Sequence, residues 1–139
     1  MAQAIADRFA EAFAEYLHKE IRTKHWGYDT DEGLTNDDLI KESYKGIRPA
    51  PGYPACPDHL EKETIWEVLK VEENIGVTLT ESLAMWPAAS VSGYYFANKE
   101  AKYFGLGKIT DDQVTDFANR KGITNEKAKK WLHPNIANQ

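Results

Sequence analysis

Residues 46–59 read GIRPAPGYPACPDH. Four of the chain's six prolines fall in this stretch, with two glycines, one arginine and the only cysteine. A proline fixes its own φ and pushes the residue before it towards extended backbone. Arg48, Ala50, Tyr53 and Cys56 each precede one. The stretch is therefore a stiff, mostly extended loop, and neither helix nor central strand.

Helical signals stand on both sides of it. From Met1 to Ile21, the residues Ile5, Phe9, Ala12, Phe13, Tyr16 and Leu17 recur at helical spacing on one face. This helix has no visible N-cap and a wide apolar face. It reads as a chain start that is not the natural start of a domain, and its apolar face is expected to be exposed in this chain. Thr35 is placed to cap a helix through Leu39, Ile40 and Tyr44 to near Gly46. Beyond the loop, Asp58-His59-Leu60-Glu61 has the form of a capping box. The helix it opens should turn Ile65, Trp66 and Leu69 inward and stop near Gly76.

Alternation over 77–84, and the composition of 91–96 and 102–109, predict three strands, the last two joined by a turn at Asn98. Thr110-Asp111-Asp112-Gln113 is a second capping box, ahead of a helix with Val114, Phe117 and Ala118 inside, ended by Gly122. Thr124 caps a last helix that carries Ala128, Trp131 and Leu132 and stops before Pro134. Helices, then strands with short connections, then helices define an α+β fold with an antiparallel sheet, in one domain over 1–139.

Composition narrows the function. The 139 residues are 42% hydrophobic, enough for one core, and carry a net charge of −5 without a run of basic residues. That balance argues against nucleic-acid binding. Lys127, Lys129 and Lys130 read as the solvated face of a helix. No apolar run is long enough to cross a bilayer, and no secretory signal is visible. A single cysteine forms no internal disulfide and favours a reducing, cytoplasmic setting.

The loop has more to offer than stiffness. Its remaining backbone groups have few partners predicted by local sequence, and Gly52 lacks the Cβ that would keep a ligand away from the backbone. Arg48 offers a planar fork for a carboxylate or phosphate, and Tyr53 a flat surface with a polar tip. These groups suit a small zwitterionic or aromatic ligand. They equally suit a rigid connector with Arg48 in a structural salt bridge. Cys56 and His59 lack a second pair of metal ligands, and Cys56 has no visible base. His18 and His25 read as surface or satisfied histidines. No glycine-rich phosphate loop follows a strand.

RPAPGYPACPDH resembles the signature of the activation domain of cobalamin-dependent methionine synthase. So do AEAFAEYLHKEIR, WGYDTDEGLTNDDLIKESYKG, LTESLAMWPAASVSGYYF, KITDDQVTDFANRKG and WLHPNIA, in order and over nearly the whole chain. The resemblance implies a module that binds S-adenosylmethionine (AdoMet). The module presents it to cobalamin held elsewhere in the enzyme, so that a methyl group and an electron from a flavodoxin-type reductase restore methylcobalamin. It implies that Arg48 holds the AdoMet carboxylate and that Pro49, Ala50, Gly52 and Tyr53 form one wall. Tyr103 and Phe104 should contact the ligand from the sheet, and Glu11 and Glu42 should stand near its reactive end. Phe104 replaces a tyrosine the family can have. The chain resembles only the C-terminal part of that domain. Two alternatives stay open: a docking fragment with an incomplete AdoMet site, and a stand-alone AdoMet-dependent methyltransferase.

Overall fold

A computed structural model describes residues 1–137. Helix α1 (Ala2–Glu20) runs directly into a π-helical turn, Ile21–His25. Its apolar face is exposed, as expected: Phe9 is 71% and Phe13 61% accessible. The side of α1 that packs inward carries His18, with Arg22 one turn further on, and both are fully buried. Buried polar groups survive only with partners. Here Arg22 forms an ion pair with Glu32 and lies over the Tyr44 ring at 4.2 Å.

Helix α2 (Asn36–Ile40) opens with a reciprocal capping box between Thr35 and Asp38. It ends sooner than the sequence suggests. Glu42 takes a left-handed φ of 52°, and the N–H groups of Glu42 and Ser43 return to the carbonyls of Leu39 and Asp38. These are the two bonds of a Schellman stop, here without the usual glycine. Tyr44 consequently lies beyond the helix.

Helix α3 (Glu61–Leu69) does not begin with the expected capping box. The Asp58 carboxylate accepts from the Leu60 N–H at 2.8 Å, while Glu61 is drawn away by Lys121. A left-handed Lys70 (φ 47°) then separates α3 from α4 (Val71–Ile75), and the kink leaves Leu69 exposed instead of inward.

Of the expected sheet, only a hairpin forms: β1 (Thr78–Leu79) pairs antiparallel with β2 (Met85–Trp86). The segment 91–96 finds its partner in the proline loop. Ile47 and Phe96 exchange both backbone hydrogen bonds at 3.0 Å, and the Tyr94 N–H reaches the Pro49 carbonyl at 2.9 Å. Pro49 and Pro51 have no N–H to donate, so this ladder stops at one bridge. Residues 102–109 run without regular partners until Ile109, which bridges in parallel to Ile136. The turn at Asn98 forms.

The C-terminal helices follow the sequence closely. Thr110 and Gln113 make a capping box for α5 (Asp111–Lys121), ended by a left-handed Gly122. Thr124 caps α6 (Asn125–Leu132), and a short 3-10 turn, His133–Asn135, absorbs Pro134. Together they enclose an apolar core of Ile109, Val114, Ala118, Ala128 and Leu132.

Candidate functional site

Arg48 stands where three segments meet. Its backbone N–H donates to the Tyr103 hydroxyl at 3.0 Å, tying the proline loop to the segment 102–109. Its guanidinium reaches back to α1 and to the end of α2. Nη2 pairs with Glu15 at 2.7 Å, and Nη1 donates to the Tyr44 hydroxyl at 3.1 Å and faces His18 Nδ1 at 3.4 Å. About a quarter of the side chain stays accessible. Burial works most strongly against its charge, but its hydrogen bond to Glu15, together with the electrostatic effect of Tyr44, Glu15 and Tyr103, outweighs that and raises its pKa.

His18 is the centre of this cluster. Its ring stacks on Tyr95 (centroids 5.0 Å apart) and meets Tyr44 edge-on at 4.8 Å. Nε2 lies 3.2 Å from the Tyr28 hydroxyl. Burial first, then the positive charges of Arg22 and Arg48, push its pKa down to about 3. The ring is therefore neutral. With Arg48 as a donor to Nδ1, the network assigns the proton to Nε2. Burial also pushes the Tyr44 phenol far up, so Tyr44 keeps its hydroxyl proton.

Beside this cluster an open cavity of about 350 Å³ is lined by Glu42, Tyr44, Gly46, Lys99, Lys102 and Tyr103, among others. That is the size of a small-molecule cleft. Gly46 (φ 85°) lies so close to the Phe96 carbonyl that a Cβ would collide with it. The left-handed turn at Glu42, unusual for a non-glycine residue, places Glu42 in the cavity wall.

The expected site residues therefore divide. Tyr103 and Glu42 line the cavity, and Arg48 is bonded to two residues of its wall, Tyr44 and Tyr103, without lining it itself. Pro49 and Ala50 pack under the segment 91–96, with Gly93 pressed against the Pro49 carbonyl and Ala50. Tyr53 and Phe104 are 66% and 61% accessible, and the Leu106 N–H donates to the Pro54 carbonyl at 3.0 Å, joining their segments. Glu11 stays on the exposed face of α1, paired with Arg8 at 3.1 Å. Glu15, one turn later, is the residue that meets Arg48.

The loop's backbone is less open than its sequence suggests. The N–H groups of Gly52, Tyr53 and Cys56 are met by the carbonyls of Cys56, Ala50 and Tyr53. The space left by the missing Cβ of Gly52 (φ 96°) is filled by the His59 ring. Burial, then the charge of Asp58, raises the Cys56 pKa, the opposite of what a nucleophilic thiolate needs. Among the described residues, no three His, Cys, Asp or Glu side chains cluster to hold a metal ion, and no helix is long and apolar enough to cross a membrane.

Sequence patterns single out neither Glu15, Tyr44 nor Tyr95 for the site, while His18, expected to be a surface or satisfied histidine, is a buried and satisfied one. One signal was present: Glu15, His18 and Arg22 recur at three- and four-residue spacing, a polar stripe along one side of the first helix.

Fold and site together define a small α+β module with an open cleft next to a clamped arginine. The model of the vitamin B12-dependent methionine synthase activation domain matches residues 1–122, and the chain belongs to that family. A crystal structure described as the MetH reactivation domain bound to AdoHcy is 56% identical, with a TM-score of 0.96. The match covers 99% of this chain and 42% of the length of that one.

Proposed function

We propose that residues 1–139 are the C-terminal portion of an AdoMet-binding activation domain. In this reading the chain presents AdoMet to cobalamin held by a separate module of methionine synthase, for reductive reactivation with an electron from a flavodoxin-type reductase. The observation that carries it is the clamped Arg48, whose guanidinium donates to Tyr44 and whose N–H donates to Tyr103, two residues in the wall of a cavity that Glu42 also lines. The similar reactivation domain is described as bound to AdoHcy, which has the same amino-acid carboxylate and adenosyl group.

When bound, AdoMet supplies a methyl group already activated by its sulfonium charge. The chain's part is placement and electrostatics. Arg48 takes the ligand carboxylate, and the backbone from Pro49 to Tyr53 forms a wall. Tyr103 and Phe104 contact the ligand from the opposite segment, and Glu42 offers negative charge from the cavity wall. The methyltransferase activity belongs to the assembled enzyme. The exposed face of α1, with Ile5, Phe9 and Phe13, is its surface for the rest of the domain or for a second copy. A cytoplasmic setting belongs to the same reading, supported by the single cysteine.

A calorimetric titration of AdoMet into the chain tests this. Arg48→Ala should weaken binding about ten- to a hundredfold, the worth of a charged hydrogen bond, and Arg48→Lys less, because lysine keeps the charge but not the fork. Equal affinity for wild type and Arg48→Ala would remove Arg48 from the site. The docking-fragment reading is favoured by one observation, the Glu15 carboxylate already on Arg48. Wild-type chain that takes up no AdoMet would decide for it.

A further inference from the structure

We infer that His18 is the positioning residue for Arg48: its neutral ring offers Nδ1 as an acceptor that fixes where the guanidinium stands beside the cavity. The inference rests on the reading of Arg48 as the residue that holds the ligand carboxylate. An arginine side chain has much rotamer freedom to lose, and a guanidinium already held in place binds better than one that must be ordered by the ligand. Three groups hold this one, Glu15, Tyr44 and His18.

Of the three, His18 is the most firmly placed. It has no accessible surface. Stacking on Tyr95 and edge contact with Tyr44 restrict the ring plane, and the Tyr28 hydroxyl at Nε2 sets which way round the ring lies. Nδ1 is thereby directed at Arg48 Nη1. The groups facing the ring are Arg22, Arg48, Tyr28, Tyr44 and Tyr95, with Glu15 and Glu32 behind the two arginines. Only a neutral imidazole can accept a hydrogen bond there. A protonated one would be a third cation with no lone pair to give.

Two replacements separate positioning from packing. Asparagine puts an amide oxygen near the place of Nδ1, and glutamine puts its amide near the place of Nε2. His18→Asn should keep AdoMet affinity within about threefold, while His18→Gln should lose about tenfold, the worth of one hydrogen bond. Urea unfolding of both variants should show similar losses of stability, since each removes the same ring from the same packing. In the Arg48→Ala background the difference between the two should vanish. An independent reading comes from imidazole nitrogen NMR on the wild-type chain without ligand. It should show the neutral Nε2–H tautomer from about pH 5 to 8, with no titration near the ordinary histidine range.

Equal AdoMet affinities for His18→Asn and His18→Gln, with Arg48→Ala still impaired, would overturn the role of His18 alone. An Nδ1–H tautomer, or protonation near pH 6.5, the ordinary histidine value, would do the same. Wild-type affinity in Arg48→Ala would instead overturn the placing of the ligand at Arg48.

Discussion

Around Val114 the chain buries Ile109, Ala118, Ala128 and Leu132, all apolar, between two capped helices. Around His18 it buries a histidine and an arginine against tyrosines, with two ion pairs beside them. Arg22 and His18 are larger than Val114, the other fully buried side chain of note. The apolar core is held by a non-directional force that tolerates exchanges of similar volume. The polar cluster is held by hydrogen bonds and charges, each with one allowed direction, and a lost partner leaves a buried group unmet. The second kind of packing is the one that can hold Arg48 in a single place, and it is where the candidate site lies.

The contrast has its sharpest test at Arg22. Arg22→Ala leaves Glu32 buried and unpaired and should cost about 3–5 kcal/mol in urea unfolding. Replacing both partners, Arg22→Met with Glu32→Leu, should recover most of that loss, because no charge is then stranded. A single-variant cost below that of an ordinary surface change would mean the cluster is not cooperative.

In the apolar core the expected pattern is different. Leu132→Ala should cost at least about 2 kcal/mol through lost burial and the cavity left behind, whereas Leu132→Met should cost less than about 1.5 kcal/mol. Arg22→Lys has no such tolerance, since the planar fork is lost. If Leu132→Met and Arg22→Lys proved equally mild, the distinction between the two regions would fail.

The smallest effect belongs to the caps of the C-terminal pair. The Thr124 hydroxyl accepts from the Lys127 N–H at 3.2 Å, and Thr124→Ala should cost about 1 kcal/mol. A loss as large as that at Arg22 would show that α6 depends on its cap more than on its core.

These two regions also differ in how far they could be read in advance. The caps at Thr110 and Thr124, the stop at Gly122, and the inward residues Val114, Ala118, Ala128 and Leu132 are local or periodic signals and appear in the structure, while Phe117 and Trp131, expected inside with them, are half-buried. The α+β class and the family were legible too, the latter from long motifs kept in order. The sheet was overread. Residues 91–96 have strand composition, but their partner is a loop whose prolines cannot complete a ladder. The helix after Asp58 was misread at its start because Glu61 is held by Lys121, sixty residues on.

Sequence alone determined the two C-terminal helices with their caps, the stiff loop with Arg48 at its head, and the family to which the chain belongs. Each rests on residues close together in the chain or on the order of its motifs. Tertiary structure decided which acidic residue meets Arg48, that His18 is buried and neutral, and that the space at Gly52 goes to His59. Those outcomes depend on contacts between distant segments. A guanidinium, an imidazole or a missing Cβ carries no mark of its eventual neighbour until packing removes the water around it.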